Sequence, residues 1–203
     1  MSEKIKVYSL PDRIWHWVHG ISIFLLVITS LVVHMPDKFH FMSYRAAVKA
    51  HTVFGFIVIF DYFFWLLHMF LYGYIRHYTV NSEDIEGIKA QIRYYTYGIF
   101  KGEKNPFTPT EEKRLNPLQR ISYLGLMFIL LPIQIITGFL LWSPIKNSGI
   151  IDSLGGLRTI AAIHSFFAYV FIAFLIGHLY LATTGVTVFA DYKAMITGWA
   201  EEE

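Results

Sequence analysis

The most informative segment of the chain is residues 157–186, LRTIAAIHSFFAYVFIAFLIGHLYLATTGV, which is long and apolar enough to span a bilayer as one helix. It contains two histidines, His164 and His178, fourteen residues apart. Fourteen steps of about 100° return to within roughly 40° of the starting direction, and a rise of about 1.5 Å per residue separates the two rings by roughly 21 Å along the axis. Both imidazoles therefore leave one face of the helix, at two depths. That arrangement suits two stacked cofactors, provided that other helices supply the opposing ligands.

The composition of the whole chain is that of a membrane protein. Of the 203 residues, 55% are hydrophobic and 18% are aromatic. The apolar residues form four blocks of membrane-spanning length, at residues 14–34, 45–75, 118–142 and 157–186. We predict an all-α membrane protein, a four-transmembrane-helix bundle that forms one domain over residues 1–203.

The segments between the blocks differ in length and character. The first block is predicted to remain as a helix, because no small-residue cleavage site follows it, and Asp12 after Pro11 is its expected cap. The only long connection is residues 76–117, in which residues 85–100 are amphipathic and are predicted to form a helix at the membrane surface.

The distribution of positive charge predicts the orientation of the four spans. The N-terminal segment through Arg13, the long connection through Arg120 and the C-terminal segment together contain twelve Lys and Arg, whereas the two short links with the adjoining ends of the second and fourth spans contain five. Because Lys and Arg are enriched on the cytoplasmic side, we expect both termini and residues 76–117 to face the cytoplasm. The chain is therefore predicted to be a multi-pass protein of a bacterial cytoplasmic membrane.

The chain contains no cysteine, which limits the kinds of redox centre that it can hold. Disulfides, thiolate-ligated iron–sulfur clusters and covalent CxxCH haem attachment are excluded. A zinc or di-iron site needs clustered ligands, and His16 with His19 alone is too small a set for either. A redox centre in this chain must be held non-covalently by other ligands.

The predicted topology sorts four histidines into two depths. His16 lies near the cytoplasmic end of the first span, and His178 lies toward the same side in the fourth. His51 and His164 lie near the outer ends of the second and fourth spans. Each level then has imidazoles from two helices, which is the arrangement that bis-histidine ligation of a b-type haem needs. His19 lies one turn from His16 and could take its place.

Other functions are compatible with some of these residues. A single histidine in a membrane helix can simply bond a neighbouring helix. Asp61 and His68 in the second span could act as relay groups of an ion- or proton-translocating protein, although four helices without an internal repeat are few for a transporter. A structural anchor without haem is a third possibility. The number of b-type haems per chain distinguishes these classes.

Several motifs resemble one known family. They are DRIWHW at residues 12–17, His51 early in the second span, LNPLQR at residues 115–120, and His164 with His178 in the fourth span. Together they resemble the four-helix di-haem cytochrome b subunits that anchor bacterial respiratory complexes. This family includes the gamma subunit of formate dehydrogenase, the cytochrome b of nickel–iron hydrogenases and the thiosulfate-reductase type.

The resemblance implies particular ligands and cofactors. It implies two haem b groups, one held by His16 and His178 on the cytoplasmic side and one held by His51 and His164 on the outer side. It implies no catalytic residue in this chain. The chain would instead be an electron-transfer subunit that exchanges electrons with menaquinone or ubiquinone.

The resemblance also implies a quinone site and partner subunits. Asn116 occupies the place of an asparagine that lies beside the quinone in formate dehydrogenase gamma subunits, and Gln119 follows one turn later. Asn116 followed by Pro117 is equally typical of a helix cap, and we expect both roles. The implied partners are an iron–sulfur subunit and a catalytic oxidoreductase subunit of the formate dehydrogenase, hydrogenase or sulfur-compound reductase kind, or a multihaem cytochrome c. No nucleic acid is expected as a partner.

The roles of four charged or ionisable residues each have two possible interpretations. Lys49 and Arg158, near the outer haem level, could pair with haem propionates or could be ordinary cations at the membrane interface. Asp61 could bond a neighbouring helix or belong to a proton route. His68 is expected to assist a quinone or proton path rather than to bind iron.

Overall fold

The computed structural model describes residues 4–82, 84–107 and 115–201. It is mostly helical, and four of its helices are long and apolar enough to cross a membrane, which confirms the predicted fold class. The four spans are α1 (Leu10–His34), α2 (Tyr44–Leu71), a third span (Pro117–Trp142) and α7 (Leu157–Leu181). The third span consists of α4 (Pro117–Gly125), a π-helical turn (Leu126–Leu130) and α5 (Leu131–Trp142).

The first span begins earlier than expected, and with a different cap. The N-cap of α1 is Ser9, whose hydroxyl accepts a hydrogen bond from the backbone N–H of Asp12 at 3.3 Å. The Asp12 carboxylate accepts from the backbone N–H of Ser9 at 3.1 Å. These reciprocal bonds form a capping box, so Asp12 is the third helical residue rather than the predicted cap.

Two other spans end before their predicted limits. The helix α2 stops at Leu71 rather than at residue 75, because Gly73 adopts a left-handed conformation with φ +68° that breaks the helix. The helix α7 stops at Leu181 rather than at residue 186. There the hydroxyls of Thr183 and Thr184 donate to the carbonyls of Tyr180 and Leu181, each at 2.7 Å, so these last-turn carbonyls have hydrogen-bond donors.

The long connection contains the predicted amphipathic helix, shortened to α3 (Asp84–Thr96) and followed by a 3₁₀ turn (Gly98–Lys101). The helix α3 is attached to the third span by an ion pair between Asp84 and Arg120, whose side chains are only 12% and 13% exposed. The Arg120 guanidinium also donates to the carbonyl of Thr79 at 3.1 Å. The connection is therefore docked on the bundle.

Two short helices and a two-stranded sheet lie outside the four spans and the long connection. The predicted outer loop at residues 143–156 contains α6 (Ser148–Ser153), and α8 (Ala190–Thr197) follows the fourth span. The strands β1 (Lys4–Lys6) and β2 (Trp199–Glu201) pair in antiparallel fashion, so the two ends of the described chain form one small sheet.

The four spans associate as two antiparallel pairs. The helix α1 packs along α2, and α5 packs along α7. A buried apolar cluster joins the two pairs: Val58, Tyr62, Trp65 and Met69 of α2, Leu126, Met127 and Leu131 of the third span, and Phe171 of α7. Phe171 lies midway between His164 and His178 in α7, so this core separates the two histidine levels.

Candidate haem and ligand sites

The structure brings the four histidines together in two pairs, each bridging the gap between the two halves of the bundle. The ring centres of His16 in α1 and His178 in α7 are 6.0 Å apart. Those of His51 in α2 and His164 in α7 are 6.4 Å apart. We call them the inner pair (His16 and His178) and the outer pair (His51 and His164), after the predicted orientation.

The spacing within each pair matches two imidazoles that share one metal ion. A metal–imidazole bond of about 2.0–2.1 Å, with the nitrogen roughly 1.1 Å from the ring centre, places the two ring centres roughly 6.3 Å apart. The observed 6.0 and 6.4 Å lie on either side of this value. The residues present therefore fit a bis-histidine haem at each level.

Threonine hydroxyls hold both rings of the outer pair. Thr29 Oγ1 lies 3.0 Å from Nδ1 of His51, and Thr137 Oγ1 lies 3.0 Å from Nδ1 of His164. Each hydroxyl donates its own hydrogen to a carbonyl four residues earlier in its helix, at 2.8 and 2.7 Å. The oxygens can then only accept from Nδ1–H, which leaves the Nε2 lone pair of both histidines available to a metal.

Two further residues of the third span contact His164. A Cβ added to Gly138 would lie 3.1 Å from Cε1 of His164, so the close approach of α5 and α7 leaves little room for a side chain there. Gln134 places its amide nitrogen 3.3 Å from Nε2 of His164, while the buried amide oxygen has no partner among the described residues. A metal bound at Nε2 would displace this amide.

The inner pair has a less constrained environment. Nδ1 of His16 is buried and has no hydrogen-bond partner among the residues that the structure describes, and the His178 ring stacks on Phe174 with 6.0 Å between ring centres. A Cβ added to Gly20, one turn after His16, would meet no atom within 4 Å. This open space belongs to a cavity of about 890 Å³ lined by both inner histidines, which we call the inner cavity.

His16 and His19, the two candidates for one ligand position, have different surroundings. His19 Nδ1 lies 2.7 Å from Oδ2 of Asp61, and the two side chains are only 14% and 8% exposed. The His19 ring also stacks on Trp15, which in turn stacks on Trp65 of α2. His19 is therefore engaged by α2, whereas His16 faces His178. Asp61 bonds a neighbouring helix, as one of its two interpretations predicted.

Asn116 and Gln119 cap the third span and line the inner cavity. The Asn116 side chain accepts from the backbone N–H of Gln119 at 2.8 Å, and the Gln119 side chain accepts from the backbone N–H of Asn116 at 3.0 Å. The amide nitrogen of Asn116 donates to the Tyr95 hydroxyl of α3 at 3.2 Å. The cap role of Asn116 is thus present in the structure, beside a cavity that reaches the inner pair.

The remaining candidates lie in different surroundings. His68 lines the inner cavity and stacks on Tyr74 with 5.2 Å between ring centres. Lys49 and Arg158 are exposed.

Sequence reasoning missed several polar residues near the histidines. Thr29 and Thr137 had one signal, a hydroxyl inside an apolar span. Tyr95 and Asp191 line the inner cavity from α3 and α8, and their sequence surroundings contain no signal of that position. Tyr95 is half-buried and Asp191 is exposed, and partial desolvation raises the pKa of both side chains above their ordinary values.

A family model described as prokaryotic cytochrome b561 matches residues 7–198 of the chain. The chain belongs to the prokaryotic cytochrome b561 family. This cytochrome b561 family member is 32% identical over 199 residues to cytochrome YdhU of Escherichia coli K12, and the match covers 97% of the chain and 75% of that relative. The predicted resemblance to cytochrome b anchor subunits is confirmed.

Two further relatives have names that mention hydrogenases. The F420 non-reducing hydrogenase II cytochrome subunit of Methanosarcina mazei is 26% identical over 230 residues, with 98% of the chain and 83% of the relative covered. A Rhodobacter capsulatus protein named as a Ni/Fe-hydrogenase B-type cytochrome subunit is 24% identical over 201 residues, with 88% and 73% covered. As a cytochrome b561 family member with four spans, the chain is a multi-pass membrane protein that binds haem b and transfers electrons.

Proposed function

We propose that this cytochrome is the di-haem b anchor subunit of a respiratory oxidoreductase complex in a bacterial cytoplasmic membrane. The inner pair would hold one haem and the outer pair the other. The single observation that supports this most strongly is the spacing of the two pairs, 6.0 and 6.4 Å between ring centres at two levels of one bundle. Haem b supplies one-electron redox chemistry, and the protein contributes ligation, orientation and surroundings.

The partners follow from the two ends of the bundle and from the relatives. Two relatives bear names of hydrogenase cytochrome subunits, which favours a catalytic oxidoreductase partner with an iron–sulfur subunit. We place this partner at the outer face, beside the outer pair, and the quinone pool at the inner pair. Formate dehydrogenase, a sulfur-compound reductase and a multihaem cytochrome c are alternative partners for the same face.

The inner cavity supports a quinone site. Its volume of about 890 Å³ includes the space beside His16 and His178 in which the inner haem would lie, and it extends from there to Asn116 and Gln119, where a quinone would bind. None of the described residues that line it is Lys or Arg. A neutral ligand with hydrogen-bonding carbonyl groups suits such a wall better than an anion does, so menaquinone or ubiquinone is the expected ligand.

Haem counting tests the di-haem proposal. The purified protein should contain two b-type haems per chain by extraction and quantitation. His164→Ala should remove the outer haem and leave the inner haem largely intact, and His178→Ala should do the reverse. His40→Ala, at an exposed histidine of the first short link, is the matched control and should keep both. A His164→Ala protein with two haems at full occupancy would show that the assignment of pairs is wrong.

Two substitutions of Asn116 separate its cap role from ligand binding. Asn116→Ser keeps a side-chain oxygen that caps the helix but removes the amide nitrogen, whereas Asn116→Ala removes both. If Asn116 serves the quinone, both variants should lose quinol-driven haem reduction, while only the alanine variant should lose about 1 kcal/mol of stability. Normal quinol-driven reduction in Asn116→Ser would remove Asn116 from the quinone site.

The alternative function, an ion- or proton-translocating protein, is less well supported. It needs Asp61 and His68 as relay groups, yet Asp61 is bonded to His19 at 2.7 Å and the His68 ring is stacked on Tyr74. Both side chains thus have structural partners without a relay.

A further inference from the structure

One carboxyl group at the polar end of the inner cavity has no role in the function proposed so far. Asp191 lies in the first turn of α8 and lines the inner cavity together with Tyr95 and Asn116. Its carboxylate makes no hydrogen bond or ion pair with any residue that the structure describes. A Cβ added to Gly185, in the turn after α7, would lie 3.1 Å from Oδ1 of Asp191, so the missing side chain at Gly185 leaves room for this carboxylate.

We propose that Asp191 is the proton-exchanging carboxyl of the inner cavity, passing protons between water at the predicted cytoplasmic face and the carbonyl oxygens of a bound quinone. This inference rests on the proposed quinone site. The sequence placed Asp191 in a C-terminal segment without a function.

The surroundings of Asp191 suit a group that gains and loses a proton. Tyr95 of α3 and Tyr123 of α4 are the titratable groups that act on it across the cavity, and both are uncharged when protonated. Asp12 of α1 and four histidines, His16, His19, His68 and His178, line the same cavity, and no described lining residue is Lys or Arg. Asp191 is an exposed residue, and the partial desolvation of its carboxyl raises its pKa above the ordinary value for aspartate. A higher pKa makes the carboxylic acid easier to form near neutral pH.

The proton step balances as follows. Reduction of a quinone to a quinol takes up two electrons and two protons. The electrons come from the haem chain of the proposed function. Each proton leaves the Asp191 carboxylic acid as its O–H bond breaks, and a new O–H bond forms at a quinone oxygen. Water at the mouth of the cavity then reprotonates the carboxylate, and in quinol oxidation each transfer runs in reverse.

A purely structural role for Asp191 makes an opposite prediction. An acidic residue in the first turn of a helix stabilises the N-terminus, so its removal would lower stability at any pH where it is ionised. A carboxyl with a raised folded-state pKa instead lowers the stability of the fold as pH rises from its unfolded-state pKa toward its folded-state pKa. On our proposal, Asp191→Asn should melt no lower than the wild type at neutral to alkaline pH.

The experiment uses the intact complex in membranes, with menadiol as the quinol probe. Asp191→Asn should keep both haems and full reduction by dithionite, but should lose menadiol-driven haem reduction by about tenfold or more. Asp191→Glu should recover most of the rate with a shifted pH profile. Asp37→Asn, at an exposed carboxylate of the first short link, is the matched control and should behave as the wild type.

Infrared difference spectra give a readout that does not depend on turnover. Quinone reduction in the wild type should change a protonated-carboxyl band, which Asp191→Asn removes and Asp191→Glu moves in frequency. An unchanged menadiol rate and pH profile in Asp191→Asn would overturn the inference, as would a carboxyl band that neither variant alters. If the Asp191→Asn protein does not assemble, the test is whether Asp191→Glu moves the frequency of the protonated-carboxyl band. A wild type that menadiol cannot reduce would instead contradict the quinone site itself.

Discussion

The outer and inner pairs use the same two side chains in opposite surroundings. At the outer pair, Thr29 and Thr137 each hold one Nδ1 at 3.0 Å, and Gly138 lets α5 press against His164. At the inner pair, Nδ1 of His16 has no hydrogen-bond partner in the described part of the chain, and a cavity of about 890 Å³ opens beside both rings. The outer pair is a closed and constrained site, and the inner pair is an open one.

This difference suits the two levels to different functions. A site that only relays electrons benefits from ligands held in one geometry by hydrogen bonds from a second layer of residues. A site that exchanges electrons with a diffusible quinone needs room beside it for the ligand to enter and leave.

The largest effect is expected at Gly138. Gly138→Val should push His164 away, because even a Cβ there lies 3.1 Å from the ring, and the outer haem should be lost while the inner haem stays. Pyridine haemochrome quantitation and the visible spectrum measure this loss. Gly149→Val is the matched control, since a Cβ at Gly149 has no atom within 4 Å. Equal loss of both haems in Gly138→Val would mean that the two levels are not independent.

A smaller effect is expected from the hydrogen-bonded pair of His19 and Asp61. Asp61→Leu leaves Nδ1 of His19 buried without an acceptor, which should lower stability by about 1–3 kcal/mol. Asp61→Asn keeps an acceptor and should recover most of the loss. Thermal melts in detergent, followed by the haem band, measure both variants. If Asp61→Asn is as unstable as Asp61→Leu, the negative charge matters more than the hydrogen bond.

Substitution of Thr29 and Thr137 should change the reduction potential of the outer haem without removing the haem. In the double variant Thr29→Val, Thr137→Val, the two Nδ1–H groups lose their acceptors, which makes the imidazoles weaker donors to ferric iron and should raise the outer reduction potential. Redox titration should show one of two potentials moving and the other unchanged. Thr52→Val, whose hydroxyl donates to its own helix at 2.9 Å, is the control. A shift in both potentials would contradict the separation of the two levels.

The smallest effect is expected far from both pairs, at the ion pair of Arg93 and Glu103. Arg93 lowers the pKa of Glu103, so the pair contributes above the ordinary pKa of glutamate and is lost as pH falls through the lowered value. Because both groups are solvent-exposed, Glu103→Gln should leave the melting temperature and both haem spectra nearly unchanged at neutral pH. A clear spectral change would mean that this loop couples to a haem site.

The sequence predicted the features that depend on composition and local pattern. Four apolar blocks are enough to predict four spans, and the spacing of His164 and His178 predicts one helix face. The cap at Asn116 follows from the proline after it. By contrast, the ends of α2 and α7 depend on Gly73 and on two threonine hydroxyls, which a hydropathy pattern does not resolve.

The features that were missed depend on tertiary contacts. A threonine in a membrane helix usually bonds its own helix, and Thr29 and Thr137 do so. Only the packing shows that their free lone pairs also face histidines of other helices. The position of Asp191 could not be predicted from the sequence either, because the Asp191 carboxylate reaches the inner cavity only when α8 folds back on the bundle.

The small sheet that joins the two ends of the described chain has a practical consequence for work on this protein. The backbone N–H groups of Val7 and Tyr8 both donate to the carbonyl of Gly198, and Ile5 and Ala200 form part of the wall of the inner cavity. A bulky tag or reporter fused close to either strand would therefore lie beside the inner pair and away from the outer pair. Insertion at residues 37–40, in the exposed link between α1 and α2, keeps a label away from that wall.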